Sequence, residues 1–172
     1  MLNAAVIGLG WWGKHIISCL EDSDRINISM AMDISSNEGK DFASQSGLKF
    51  TDNFDEVLKS KDIDAVIIVT PHSLHEEQVI KAADAGKQIF CEKPFSLTSE
   101  SAKRMLSACQ EHNLVVGIGH ERRFEYGLIE MKKMVDEGEI GKLLHMEFNA
   151  SYNLFAGSPA SGWRQEPKQA PA

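Results

Sequence analysis

The residues best placed to do chemistry fall into three short groups, and the first is Gly8-Leu9-Gly10-Trp11-Trp12-Gly13. This is G-x-G-x-x-G, the spacing of a loop that cradles phosphate. The first glycine makes a tight turn, the second lets the backbone approach a pyrophosphate, and the third lets the next helix pack on the strand. Free N–H groups and the dipole at that helix start favour an anion. Taken alone, the pattern also fits a structural glycine turn. Trp11 and Trp12 stand where such loops commonly carry small residues. Either one packs beneath the loop while its backbone N–H faces phosphate, or the loop is bulkier than usual. Asp33 lies 33 − 13 = 20 residues after the last glycine, where a carboxylate can accept hydrogen bonds from ribose hydroxyls. A helix cap is its alternative role. A 2′-phosphate would meet the same negative charge, and Ile34-Ser35-Ser36-Asn37 brings no arginine to offset it. NAD is therefore expected, with NADP disfavoured.

The second group is Thr70-Pro71-His72-Ser73-Leu74-His75 and the third is Glu92-Lys93-Pro94. A lysine ammonium suits alcohol oxidation, because hydride leaves a carbon more easily as the hydroxyl proton departs, and the ammonium stabilises the alkoxide or passes on the proton. A surface lysine before a turn proline explains the bare tripeptide as well. His72 and His75 are three residues apart, but no acidic or cysteine partner stands at ligand spacing, and hydride transfer to nicotinamide needs no metal. No metal is expected. His75 is expected in the first turn of a helix, near the cofactor or satisfied by backbone.

The elements that must hold these groups alternate between strand and helix from the first residue. Strands are expected at 4–8, 26–32, 65–69, 88–91 and 114–118, and helices at 12–20, 37–46, 55–60, 74–85, 99–112 and 124–137. The continuous run Ala65-Val66-Ile67-Ile68-Val69 reads as a strand buried on both faces. This order predicts an α/β fold, a Rossmann doubly wound parallel sheet with helices on both faces, over residues 1–120. Residues 121–172 read as the incomplete start of an α+β second domain. In it, Lys142 to Asn153 alternates, with Leu144, Met146, Phe148, Ala150 and Tyr152 on one face, as in a half-exposed strand. That strand has no partner in the chain, since the Gly-, Ser-, Pro- and Gln-rich stretch from Ala156 offers none.

Composition narrows the classes. At 42% hydrophobic and 25% charged, with no membrane-length apolar run, the chain reads as globular and soluble. The N-terminus has no signal-peptide pattern, and Cys19, Cys91 and Cys109 form no C-x-x-C pair, so a reducing, cytoplasmic setting is expected. With 25 acidic against 18 basic residues, neither nucleic acid nor an anionic membrane is an expected partner.

With the three groups in register at strand ends, the sequence resembles the glucose-fructose oxidoreductase, inositol dehydrogenase and MocA family. His120 to Phe124, the Gly138-Glu139-Ile140-Gly141 turn and Trp163-Arg164 add to the likeness, which covers essentially the whole chain. The resemblance implies an NAD-dependent oxidoreductase acting on a sugar, polyol or related alcohol, associating through its second-domain sheet when complete. It implies that Thr70, Pro71 and His72 line the cofactor, that Glu92 approaches the nicotinamide ribose, and that Lys93 lies near the reacting carbon. Arg123, Trp163 and Arg164 would face the cofactor or substrate side of the cleft, although for the arginines solvated charge is an equal reading. The family's further catalytic aspartate and histidine have no candidates here. Three readings therefore stand: a truncated enzyme, a free-standing NAD(H)-binding or sensing module, and one part of a split enzyme.

Overall fold

A computed structural model describes residues 1–34, 37–149, 151, 163, 166, 168 and 169. Six strands form one parallel sheet: β1 (Leu2–Ile7), β2 (Ile26–Met32), β3 (Lys49–Thr51), β4 (Ala65–Ile68), β5 (Gln88–Glu92) and β6 (Val116–Gly119), in the order β3-β2-β1-β4-β5-β6. The helices between them are α1 (Trp11–Leu20), α2 (Asn37–Gln45), α3 (Phe54–Lys59), α4 (His75–Asp84) and α5 (Ser99–Glu111). This is the doubly wound Rossmann arrangement, whose strand order reverses between β1 and β4 and opens a crevice beyond their carboxyl ends.

The alternation of side chains along each strand builds two cores. Ala5 and Ile7 of β1 pack with Val66, Ile68, Val79 and Met105 on one face, while Ala4 and Val6 pack with Ile17, Ala43, Ala65 and Ile67 on the other. All four residues of β4 are buried, as a strand covered on both faces requires. Each fully buried aliphatic side chain contributes about 1.5–3 kcal/mol. Among the described residues, side chains cap two helices: Asn53 accepts the Asp55 N–H at the start of α3, and Thr98 accepts that of Ser101 at the start of α5. At α1 no side chain caps the N-terminus and no acidic residue stands in its first turn.

The strands and helices fall within a few residues of their expected positions, with four differences. β3 was not expected, because three residues are too few to show a period. Its pairing of Met30 with Lys49 through Met32 with Thr51 makes it a strand. The helix expected from Leu74 opens as a 3-10 turn over His72–Leu74 before α4. The helix expected from Phe124 is instead a 3-10 turn (Glu121–Phe124), an extended Glu125, and α6 (Tyr126–Asp136). The strand expected at Lys142 to Asn153 is not formed among the described residues 142–149 and 151. A strand exists only by pairing its N–H and C=O groups with a neighbour, and among the described residues none lies alongside. Leu144, Met146 and Phe148 are 85%, 77% and 76% exposed, while Ala150, Tyr152 and Asn153 lie outside the described residues.

The chain divides into two compact units, one of residues Met1–Gly119 with Trp163–Ala172, and one of His120–Gly162. Among the described residues, no helix is long and apolar enough to cross a membrane.

Candidate cofactor site

The loop after β1 is built so that two of its glycines admit no side chain. Gly8 has φ +101°, and a Cβ on it would stand 2.9 Å from the Val69 carbonyl oxygen at the end of β4. Its N–H donates to Met32 O at 2.8 Å, tying the loop to the end of β2. A Cβ on Gly13 would lie 2.0 Å from Gly8 O, so this glycine lets α1 close onto the loop. Gly10 differs, since a Cβ there would meet nothing within 4 Å. Open space at the second glycine, beside the uncapped N–H groups of α1, is what an approaching pyrophosphate needs.

Asp33 turns back onto this loop. Its Oδ2 accepts the Leu9 N–H at 2.7 Å, a charge-assisted bond that uses one acceptor position and leaves the rest of the carboxylate for a ligand. Beside it opens a cleft of about 520 Å³ lined by Asp33, Asn37, Lys40, Phe50, Thr51, Asp52 and Glu56. Lys40, Asp52 and Glu56 escaped the sequence reading, because only the packing of α2, β3 and α3 gathers them around Asp33. A second groove of about 720 Å³, apolar and bordered by Leu2, Ile26 and Gln88, lies toward the opposite ends of the strands and holds none of these groups.

At the ends of β4 and β5 the second and third groups meet. Thr70 Oγ1 donates to Gln78 Oε1 at 2.5 Å. His75 is fully buried, with Nδ1 2.9 Å from Pro94 O and Nε2 3.0 Å from Thr70 O. Both ring nitrogens are taken by main-chain carbonyls, so His75 pins the end of β4 to the turn after β5 and acts on the site through backbone. A neutral imidazole donates to only one of those carbonyls, and an imidazolium to both. His72 sits half-buried before it, ring centroids 5.8 Å apart, and the Trp163 ring meets His72 edge-on at 4.8 Å. The described part of the Trp163-Arg164 pair is thus brought to the end of β4. Arg164 lies outside the described residues.

Glu92 closes β5 and is buried. Its Oε1 accepts the Trp12 indole N–H at 2.8 Å, and its Oε2 accepts the Lys93 main-chain N–H at 3.1 Å. Lys93 itself is exposed, next to the buried carboxylate. Trp12 therefore reaches across the crevice rather than packing beneath the loop, while Trp11 is 75% exposed and stacks on His15. Pro71 is half-buried at the start of the 3-10 turn. Arg123 is an exposed residue of the turn that opens the second unit. Among the described residues no three His, Cys, Asp or Glu side chains converge as metal ligands.

The sequence pattern of the oxidoreductase family with an NAD-binding Rossmann fold, the glucose-fructose oxidoreductase, inositol dehydrogenase and MocA family, matches residues 2–120. The chain belongs to this family. Two curated relatives are a 2,7-anhydro-N-acetylneuraminate hydratase from Mediterraneibacter gnavus, 30% identical over 94% of this chain and 40% of its own length, and the scyllo-inositol 2-dehydrogenase (NAD(+)) of Bacillus subtilis, 35% identical over 84% of this chain and 43% of its own. A solved family structure, scyllo-inositol dehydrogenase from Lactobacillus casei with bound NAD(H) and scyllo-inositol, superposes with a TM-score of 0.77 at 30% identity, covering 82% of this chain and 42% of that one. The chain thus spans about two fifths of the length of these relatives.

Proposed function

We propose that this chain is the cofactor-binding part of an NAD-dependent dehydrogenase that moves a hydride between nicotinamide and the CH–OH carbon of a sugar, polyol or related alcohol. The observation that carries the reading is the loop itself. Gly10 opens onto free space at an uncapped helix start, and Asp33 is bonded to the same loop. These residues fit a dinucleotide, whose pyrophosphate would lie on the N-terminus of α1 and whose adenosine ribose would reach Asp33. The cleft beside Asp33 carries three carboxylates, Asp33, Asp52 and Glu56, against one ammonium, Lys40. That balance repels a 2′-phosphate and supports NAD over NADP.

The bound nicotinamide supplies the hydride acceptor or donor. Around it, Thr70, Pro71 and His72 at the end of β4 line the crevice, and Glu92 accepts the nicotinamide ribose hydroxyls. Lys93, exposed beside Glu92, stabilises the alkoxide that develops as the substrate hydroxyl loses its proton. Trp163 packs at this end of the crevice, against His72. A second domain opens after residue 120, and its exposed Leu144, Met146 and Phe148 support homo-oligomeric association of the complete protein.

The test is to titrate the full-length protein with NADH and NADPH by fluorescence, then follow NADH formation from NAD and a panel of polyols and sugars. NADH binding at least about tenfold tighter than NADPH, with polyol-dependent NADH formation abolished by Lys93→Met, is the expected result. Absence of NADH binding refutes the reading. Because one relative is named as a hydratase, products are also measured directly. Conversion of an anhydro-sugar without NADH accumulation would assign a non-redox net reaction to the same cofactor site.

A further inference from the structure

The hydrogen bond between Trp12 and Glu92 joins residues 80 positions apart and is explained by neither phosphate binding nor hydride transfer. We propose that Trp12 is a positioning residue: its indole N–H holds the Glu92 carboxylate in the orientation that accepts the hydroxyls of the nicotinamide ribose. The inference rests on the cofactor reading above.

The geometry is specific. In the sheet, β4 lies between β1 and β5, so Trp12, in the first turn of the helix after β1, spans the end of β4 to reach Glu92. A carboxylate that is only 7% exposed is costly to bury without donors, and here each oxygen receives one: the Trp12 indole N–H on Oε1 and the Lys93 main-chain N–H on Oε2. Since a carboxylate accepts about four hydrogen bonds, one position on each oxygen remains for a pair of vicinal hydroxyls. Space for this placement comes from Gly119 at the end of β6, where a Cβ would stand 2.3 Å from Glu92 Oε1. The indole is braced in turn, with Trp11 at 5.3 Å and His15, one turn further along α1, at 5.1 Å between ring centroids. The phosphate loop and the ribose carboxylate are therefore one hydrogen-bonded unit, and a loop with a small residue at position 12 would lack that coupling.

The experiment compares three ligands on the full-length protein: NADH, ADP-ribose, which keeps the second ribose, and ADP, which lacks it. Trp12→Phe keeps an aromatic ring, though a smaller one, and removes the donor. It should weaken NADH and ADP-ribose at least about tenfold, the loss of one hydrogen bond to a charged group, and leave ADP unchanged. In a Glu92→Ala background, Trp12→Phe should change none of the three affinities further. Equal losses for ADP and NADH, no loss, or tighter NADH binding would each overturn the proposal. Glu92→Ala alone separates the two levels: if it leaves NADH affinity intact, the ribose reading of Glu92 fails, whereas if it weakens NADH and Trp12→Phe does not, only the positioning role fails. Should Trp12→Phe not fold, isotope-labelled tryptophan carries the test. The Trp12 indole N–H should exchange with solvent at least about tenfold more slowly than that of exposed Trp11 and be released in Glu92→Ala. Equal exchange rates would overturn it.

Discussion

Alanine at the third glycine of the loop should destabilise the fold, alanine at the second should not, and both should weaken cofactor binding. At Gly13 the new Cβ would stand 2.0 Å from Gly8 O, whereas ordinary contacts lie near 3.5 Å, so loop and helix must separate by more than an ångström. Neither side yields easily. Gly8 is held by its N–H bond to Met32 O, and α1 is bonded to the loop through Lys14 N–H to Gly10 O at 3.1 Å. Overpacking of this kind costs about 1–3 kcal/mol, which for a unit of this size lowers Tm by roughly 4–12 °C. Gly10 is different. Its φ of −64° and ψ of −178° suit alanine, and the added methyl meets open space. Gly10→Ala should therefore leave stability unchanged or raise it by about 0.4–1 kcal/mol. Both variants should bind NADH at least about tenfold more weakly, or 1.4 kcal/mol, Gly13→Ala through a displaced helix start and Gly10→Ala through a methyl where the pyrophosphate would lie. Thermal melts with NADH fluorescence titrations check both. Wild-type NADH affinity in Gly10→Ala would refute the placement of the pyrophosphate, and an unchanged Tm in Gly13→Ala would refute the packing argument.

Asp33→Ala removes both the Leu9 N–H acceptor and the charge opposing a 2′-phosphate; it should weaken NADH and narrow its advantage over NADPH severalfold in paired titrations. Lys87, almost fully buried, donates to Ser60 O and Ile63 O, each at 2.7 Å, so Lys87→Met should destabilise the fold by about 2–4 kcal/mol in urea melts by leaving both carbonyls unpaired. Of the three cysteines only Cys19 is exposed. Burial first, then Glu92 and Cys109, pushes the Cys91 thiol up to about 12, and burial also raises Cys109. One thiol should thus react quickly with a disulfide reagent near neutral pH and all three after unfolding; a second fast thiol in the folded protein would contradict the packing. Between the ordinary value of 9.0 and about 12 the unfolded chain releases the Cys91 proton while the folded one retains it, so this group makes stability fall as pH rises through that range.

Signals carried by short stretches of chain were legible in the amino-acid sequence. The glycine spacing, Asp33 at the end of β2 and the all-apolar run of β4 each depend on local turn chemistry or side-chain period. Together they specify a parallel dinucleotide-binding sheet, because buried parallel strands and glycine turns leave few other arrangements. Only tertiary structure decided which side chains meet across that sheet. Trp12 and Glu92 are adjacent because β1 and β5 flank β4. His75 engages Thr70 and Pro94 because α4 folds back on the ends of β4 and β5. Lys40, Asp52 and Glu56 surround Asp33 through the packing of three separate elements. β3, too short for a period, exists by pairing with β2, and the alternation after Lys142 makes no strand over 142–149, which have no partner among the described residues. Period and turn preference are properties of consecutive residues, whereas a hydrogen bond between distant ones exists only once the chain has closed on itself.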